Sequence, residues 1–217
     1  MTRPALAVVS AGIGRSSSCR SLADRLAAAT RNELECLGTP ADTCPVELRD
    51  HARDLMDTML TGFVSPPLRQ ALDAVAHADA MIAATPIYNA SYSGLFKVFF
   101  DVLDDGALAG KPVLIAAVGG TARHSLALDH SLRPLFVCLR ALVMPTAVYA
   151  TVDDSAGPDP RRALGDRIRR AAGELARQVR WCATVPGGDP YLAAAPGNRA
   201  GASRPLHLAG RQTPAKS

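Results

Sequence analysis

The sequence predicts an α/β domain built on a doubly wound, parallel five-stranded sheet with helices on both faces. Three observations lead to this fold class. Short apolar segments alternate along the chain with segments of helical periodicity. Each apolar segment is apolar on both faces of a strand, as in parallel strands buried between two helix layers. The length of 217 residues suits one such domain with a short remainder.

Five segments are expected to form the strands of this sheet. They are residues 5–9, a weak strand near 46–48, and residues 80–84, 113–118 and 147–151. The stretch 32–45 contains Gly38 and two prolines and is expected to be mainly loop. Pro86 is expected to end the third strand, because proline cannot donate a hydrogen bond to a strand ladder.

Helices are predicted between the strands, where apolar residues recur three and four positions apart. The predicted helical segments are 22–27, 51–60, 68–76, 93–103, 132–142 and 164–179. The helix at 93–103, which Ser93 would cap, has the clearest apolar face. That face consists of Leu95, Val98, Phe99, Val102 and Leu103. Pro134 is compatible with a helix only near its first turn.

The formal net charge of +4 is distributed unevenly along the chain. Residues 181–217 carry four basic residues against Asp189, so the body, residues 1–180, carries only about +1. That balance argues against nucleic-acid binding by charge. The last 37 residues also hold five glycines and five prolines without periodicity, so we expect a disordered or surface-draped tail outside the domain.

The cysteine pattern and the hydropathy indicate the compartment in which the protein is expected. Five scattered cysteines without a CxxC pair support neither a disulfide framework nor a metal site, and they favour a reducing cytoplasm. No segment reaches the roughly 18 apolar residues that span a bilayer. No membrane partner is therefore expected. The first ten residues run directly into a predicted strand, so export is not expected either.

The first predicted strand leads into a loop rich in glycine and serine, SAGIGRSSSC at residues 10–19. A helix N-terminus presents free backbone N–H groups and the positive end of its dipole, so this loop is a candidate anion site. A dinucleotide motif would need a third small residue where Ser17 stands, and a serine-rich loop suits a terminal phosphate monoester instead. Phosphate binding is favoured over the simpler alternative, in which the serines only cap the helix. The candidate ligands are Ser10, Arg15, Ser16, Ser17, Ser18 and Cys19.

Two further strand ends carry unusual residues. Tyr88 offers a planar face, and Asn89 can both donate and accept hydrogen bonds, which suits a flat heteroaromatic ring. Consecutive glycines allow a backbone to approach a ligand closely. Each loop taken alone is also compatible with an ordinary turn, but ligands of this fold class bind at the carboxyl ends of the strands, so the loops together predict one site. The candidates here are Pro86, Ile87, Tyr88 and Asn89 in one loop and Gly119, Gly120 and Thr121 in the other.

Three sequence segments carry a resemblance to a known family. They are the loop at 10–19, TPIYNASYSGLFKVFFDVL at 85–103, and GKPVLIAAVGG at 110–120. They resemble the NAD(P)H-dependent FMN reductase family of the flavodoxin-like fold, and the PxYN loop followed by SGLFK is the most specific element. The segment RPLFVCLRALVMPTAVYAT at 133–151 is similar to the branch that accompanies luciferase-like monooxygenases. The resemblance covers residues 5–179.

The resemblance implies an enzyme, an NAD(P)H:FMN oxidoreductase that supplies reduced flavin to a partner flavin-dependent monooxygenase. Ser10 and residues 16–19 would hold the FMN phosphate, with Cys19 standing where the family commonly has threonine. Residues 86–89 would contact the edge of the isoalloxazine ring, and residues 119–121 would line its other side. The family implies a homodimer or homotetramer, with the helix at 93–103 as a contact.

Flavin carries the hydride chemistry itself, so no catalytic acid or base is expected. His124 and His130 are interpreted as helix-start or surface residues, and Arg123 as a solvated side chain rather than a contact for a nucleotide phosphate. The alternatives are a flavodoxin-type electron carrier without its own turnover, a quinone or azo-dye reductase, and a regulatory module that binds no flavin. The aromatic content of 5% and the near-neutral body favour the reductase, because carriers usually clamp the ring between aromatic residues and are acidic.

Overall fold

The computed structural model describes residues 3–14, 17–151 and 160–184 of the chain. In these residues the strands are β1 Ala5–Ser10, β2 Asp42–Glu47, β3 Ala80–Tyr88, β4 Ser91–Tyr92, β5 Pro112–Gly119, β6 Leu142–Val143 and β7 Val148–Thr151. They form one sheet in the order β2-β1-β3-β5, and β6 and β7 share the next position, since each pairs with a different part of β5. All pairs are parallel except β4, which pairs antiparallel with the end of β3.

Helices cover both faces of the sheet, as predicted. The α-helices are α1 Ser18–Cys36, α2 Ala52–Thr61, α3 Pro66–His77, α4 Gly94–Asp101, α5 Arg133–Cys138 and α6 Pro160–Thr184. Hydroxyl side chains at Ser17, Ser65 and Ser93 cap α1, α3 and α4, each accepting a hydrogen bond from the N–H three residues on. Short 3₁₀ segments at Leu48–His51 and Ala122–Leu126 and a π turn at Leu128–Leu132 lie between the main elements.

Two apolar cores lie on the two faces of the sheet. Leu6 and Val8 of β1 pack in the cluster formed with α1 and α6. Ala7 and Val9 point the other way, into the cluster formed with α2, α3, α4 and α5. This alternation explains why the strands are apolar on both faces.

The connections define where a ligand would bind. The chain passes from β1 to β2 through α1 on one face, and then from β2 past β1 to β3 through α2 and α3 on the other face. The strand order therefore reverses between β1 and β3, as in flavodoxin-like folds, and the crevice outside their carboxyl ends is the expected ligand site.

The prediction for residues 32–45 is wrong in part. Helix α1 continues to Cys36, and β2 already begins at Asp42 and includes Pro45. Proline is tolerated there because β2 pairs only with β1 among the described strands and so forms an edge of the sheet.

Pro86 does not end the third strand. Strand β3 continues to Tyr88, with Pro86 opposite Val118 of β5. The carbonyl of Ala84 faces the β1 side, where it accepts a hydrogen bond from the N–H of Ala11. Backbone polar groups two residues apart in a strand point to the same side, so an N–H at position 86 would also face the β1 side. Because β1 has ended at that level, the N–H that Pro86 lacks would have had no strand partner.

Two helix predictions are also corrected. Helix α5 ends at Cys138, because Arg140 adopts a left-handed conformation with φ 59°, and Leu142 consequently lies in β6. On the predicted face of α4, Phe99, Val102 and Leu103 are buried as expected, whereas Leu95 and Val98 are only partly buried. The prediction missed Phe96 and Phe100, which are buried.

Helix α6 extends to Thr184, four residues past the predicted domain boundary. Residues 185–217, which hold most of the predicted tail, lie outside the described residues. In the part of the chain that is described, no helix combines the length and apolar character needed to cross a membrane.

Candidate cofactor site at the carboxyl edge of the sheet

The three loops singled out from the sequence follow three adjacent strands. Ser10 of β1 is paired with Ala84 of β3, and Pro86 of β3 is paired with Val118 of β5. Neighbouring strands lie about 4.8 Å apart, so the tips of β1 and β5 are separated by about 10 Å, with β3 between them. The structure therefore brings the three loops together along one edge of the sheet.

The first loop closes tightly onto the start of α1. A Cβ on Gly12 would lie 1.8 Å from Ser17 Oγ, so only glycine leaves room for the capping serine. Ser17 Oγ accepts from the N–H of Arg20 at 3.4 Å, and Ser18 is exposed at the first position of the helix. The N-terminus of α1 and its serines thus face the carboxyl edge of the sheet. Arg15 and Ser16 lie outside the described residues.

Ser10 and Cys19 form the buried floor of this loop. Ser10 Oγ donates to Cys19 Sγ at 3.8 Å, and both side chains are almost fully buried. Burial raises the pKa of Cys19 to about 11, although the Ser10 hydroxyl and backbone N–H groups of the loop act in the opposite direction. The thiol is therefore neutral at physiological pH.

An ion-pair network beside the first loop was not predicted. Arg20, in the first turn of α1, contacts Asp24 at 2.8 Å and Glu47 at the end of β2 at 2.6 Å. Burial raises the pKa of Glu47 despite the Arg20 guanidinium. Since two carboxylates engage Arg20, this side chain is a poor phosphate ligand. The i,i+4 spacing of Arg20 and Asp24 was the one signal in the sequence.

The second loop is the tip of a β-hairpin. Asn89 and Ala90 join β3 to β4 with φ angles of 48° and 66°, the conformation of a two-residue hairpin turn. Tyr88 is 51% exposed and Asn89 is exposed, whereas Ile87 is buried and Pro86 partly buried. Tyr88 and Asn89 are therefore the predicted residues of this loop that present side chains to the outside.

A buried threonine supports the hairpin from below. Thr85 Oγ1 accepts from the N–H of Ser93 at 3.1 Å and donates to the carbonyl of Pro86 at 3.0 Å. Ser93 in turn caps α4 by accepting from the N–H of Phe96. The base of the hairpin and the start of α4 are thus connected.

The third loop begins at the end of β5, where a buried glycine is followed by an exposed one. Gly119 is buried, and Gly120 and Thr121 are exposed. In the 3₁₀ segment that follows, Arg123 is exposed and His124 is partly buried. His124 Nδ1 is buried without a hydrogen-bond partner among the described residues. His130, in the π turn, is exposed as expected.

The chemistry of these residues suits an anionic, planar ligand. Backbone N–H groups and hydroxyls gather at a helix N-terminus, and an exposed tyrosine and asparagine lie one strand away. No group of three or more potential metal ligands occurs within the described ranges.

Comparison with known proteins decides the family. The family model described as NADPH-dependent FMN reductase matches residues 4–155. The chain belongs to the NADPH-dependent FMN reductase family. It is accordingly an NAD(P)H:FMN oxidoreductase that uses FMN and a nicotinamide nucleotide.

Individual relatives agree with this family. The chain is 41% identical over 155 residues to an FMN reductase (NADPH) of Pseudomonas aeruginosa, covering 71% of this chain and 81% of the relative. It is 40% identical over 177 residues to the NADH-dependent FMN reductase SfnF of Pseudomonas fluorescens, covering 79% and 90%. A solved oxidoreductase structure from Corynebacterium diphtheriae superimposes with a TM-score of 0.80 at 42% identity, covering 83% of this chain and 99% of that one.

Proposed function

We propose that the three loops at the carboxyl ends of β1, β3 and β5 form a single FMN site. The proposal also holds that the reduced FMN is supplied to a partner flavin-dependent monooxygenase. The observation that carries the site is the adjacency of the three strand tips around the start of α1.

The first loop fits the phosphate of FMN. The amides at the N-terminus of α1 and the hydroxyls of Ser17 and Ser18 supply donors, and the helix dipole favours a dianion there. Ser10 is fully buried and donates a hydrogen bond to Cys19, so in this proposal the two side chains form the buried base of the phosphate site. Arg15 and Ser16 are further candidates from the same loop.

The other two loops fit the ring of FMN. The hairpin residues 86–89 offer backbone groups, an aromatic face and an amide along one side, while Gly119, Gly120 and Thr121 offer a side without bulky groups. Bound at this site, FMN would supply the redox chemistry, with the nicotinamide nucleotide as the hydride source. The chain would bind and orient both molecules, and Gly120, where an added Cβ meets open space, would leave room for a second ring to stack.

The proposed partner rests on the segment 133–151, which resembles the branch of the family that accompanies luciferase-like monooxygenases. A homodimer or homotetramer is also part of the proposal. Helix α4 is its expected contact, because Leu95 and Val98 keep apolar surface outside the core. Five free cysteines favour the cytoplasm as the location.

Steady-state kinetics with FMN and riboflavin test the site and the activity together. We expect oxidation of NADPH or NADH that depends on added FMN, with a higher KM for riboflavin, which lacks the phosphate. FMN that binds tightly and does not turn over would instead indicate an electron carrier.

Two matched cap variants show whether the phosphate is bound where we propose. Ser17→Ala and Ser65→Ala each remove an N-cap hydrogen bond, to the N–H of Arg20 and of Leu68, which should cost about 1 kcal/mol of stability. Ser65→Ala also removes the hydrogen bond that Ser65 Oγ donates to Asp54 Oδ2 at 2.5 Å, so its loss of stability should be the larger of the two. Only Ser17→Ala should reduce the preference for FMN over riboflavin. Equal preference in both variants and the wild type would place the phosphate elsewhere.

A further inference from the structure

The third loop is held by a side chain from the neighbouring strand. Tyr149 lies in β7 opposite Ala117 of β5, and the residue is 7% exposed. Its hydroxyl donates a hydrogen bond of 2.7 Å to the carbonyl oxygen of Thr121. The main chain of the loop is therefore tied to the apolar core beneath it.

Gly119 allows the phenol to reach that carbonyl. A Cβ on Gly119 would lie 2.0 Å from Tyr149 Oη and 3.0 Å from Cζ, so any side chain at this position would displace the ring. A Cβ on Gly120 would meet open space. Gly119 and Tyr149 therefore pack as one unit, although they are thirty positions apart in the sequence.

We propose that Tyr149 is a positioning residue for FMN, which acts by fixing the Gly119–Thr121 backbone against the ring site. The inference rests on the proposed function, because that loop is one of the three assigned to the ring. Burial raises the pKa of Tyr149, so its hydroxyl keeps its proton at the pH of ordinary reductase assays.

Tyr149→Phe tests this role because it removes the hydroxyl and keeps the ring. We expect the Kd of FMN, measured by quenching of its fluorescence, and the KM for FMN to rise about fivefold to tenfold, the effect of one buried hydrogen bond. The kcat at saturating FMN should change by less than about twofold, because the hydride transfer does not involve Tyr149. Amide hydrogen exchange in the peptide that contains residues 119–126 should become faster.

Thr146→Val is the matched control. It removes the 2.7 Å hydrogen bond between Thr146 Oγ1 and Glu174, in the segment that leads into β7, without touching the third loop. The Kd of FMN should stay at the wild-type value in this variant, even if the melting temperature falls as much as in Tyr149→Phe.

Two results would overturn the inference. They are an unchanged Kd in Tyr149→Phe, whether or not kcat falls, and an equal rise of the Kd in both variants. A wild-type protein that binds FMN without turnover would contradict the proposed function alone, since the two Kd values would still decide the role of Tyr149. A wild-type protein that does not bind FMN would overturn both.

Discussion

Cys19 lies where two influences on a thiol oppose each other. The start of a helix favours a thiolate, whereas burial in an apolar core favours the neutral thiol. Burial prevails, and the pKa of Cys19 rises to about 11. At the residue scale, the sequence placed this side chain in the anion site but could not show that Ser10 and the core enclose it.

Alkylation of the native protein by iodoacetamide should therefore spare Cys19. At pH 8 a thiol with a pKa near 11 is ionised to about one part in a thousand, and Cys19 is 2% exposed. Cys36, Cys138 and Cys182 are exposed and should be modified first, as measured by peptide mass spectrometry. Labelling of Cys19 at the rate of Cys36 would show that the floor of the first loop is open.

At the scale of elements, the hairpin between β3 and β4 contains a strained residue. Ala90 adopts φ 66° and is exposed, and the left-handed region is unfavourable for any residue with a Cβ. The preceding Asn89 tolerates this region better. The hairpin is thus formed with alanine at a position where glycine is the preferred residue.

Ala90→Gly should stabilise the protein by about 1 kcal/mol, because it relieves this strain without losing buried surface. The opposite exchange, Gly62→Ala, should destabilise by a similar amount, since Gly62 ends α2 at φ 74°. Urea unfolding measures both variants. A loss of stability in Ala90→Gly would mean that the turn has another conformation.

Lys111 connects the start of β5 to the end of α3, at the end of the sheet opposite the candidate cofactor site. It lies just before the buried strand segment of β5, is 8% exposed, and donates hydrogen bonds to the carbonyls of Val75 and Ala76 at the end of α3. Burial lowers its pKa from 10.5 to about 8, and nearby Asp79 offsets this only in part.

This lowered pKa makes stability depend on pH. Between pH 8 and 10.5 the unfolded chain keeps the Lys111 proton that the folded protein releases, so the free energy of unfolding should rise with pH through this group. Relative to Lys111→Met, the wild type should gain up to about 3 kcal/mol over that range, measured by urea unfolding at each pH. A difference that does not vary with pH would show that the amine stays charged in the folded state.

Hydrophobic pattern and residue propensity predicted the strands that bury apolar side chains on both faces of the sheet. They failed for the edge strand β2 and for the ends of α1, β3 and α5. Strands β1, β3 and β5 and the Ser93 cap of α4 follow from local sequence alone. Pro45 and Pro86 misled the prediction, because the cost of a missing N–H depends on whether a neighbouring strand faces it. That depends on strand order and register, which periodicity does not contain.

At the scale of the whole molecule, the structure concentrates positive charge on one helix. Residues 160–180 of α6 hold seven arginines against Asp166 and Glu174, a net charge of +5, so residues 1–159 carry −4. Most of these arginines lie on the exposed face of α6, away from the face that packs on α1. The near-neutral net charge of residues 1–180 is therefore the sum of a basic segment in α6 and an acidic remainder.

The position of the candidate site at the strand ends could be predicted from the sequence, but only some of the residues around it could. The three strand ends were identifiable because glycine, proline and hydroxyl residues interrupt apolar runs there. Tyr149, Thr85 and the Arg20–Glu47 pair were not, because each acts through a contact between segments distant in sequence. These supporting residues emerge only once the strands are placed side by side.

A crystal structure of the protein with FMN tests the proposed site most directly. The phosphate should lie within hydrogen-bonding distance, about 3 Å, of the amides at the start of α1, and the ring should lie between residues 86–89 and residues 119–121. FMN bound away from the carboxyl edge of β1, β3 and β5, or in contact with only one of the three loops, would contradict it.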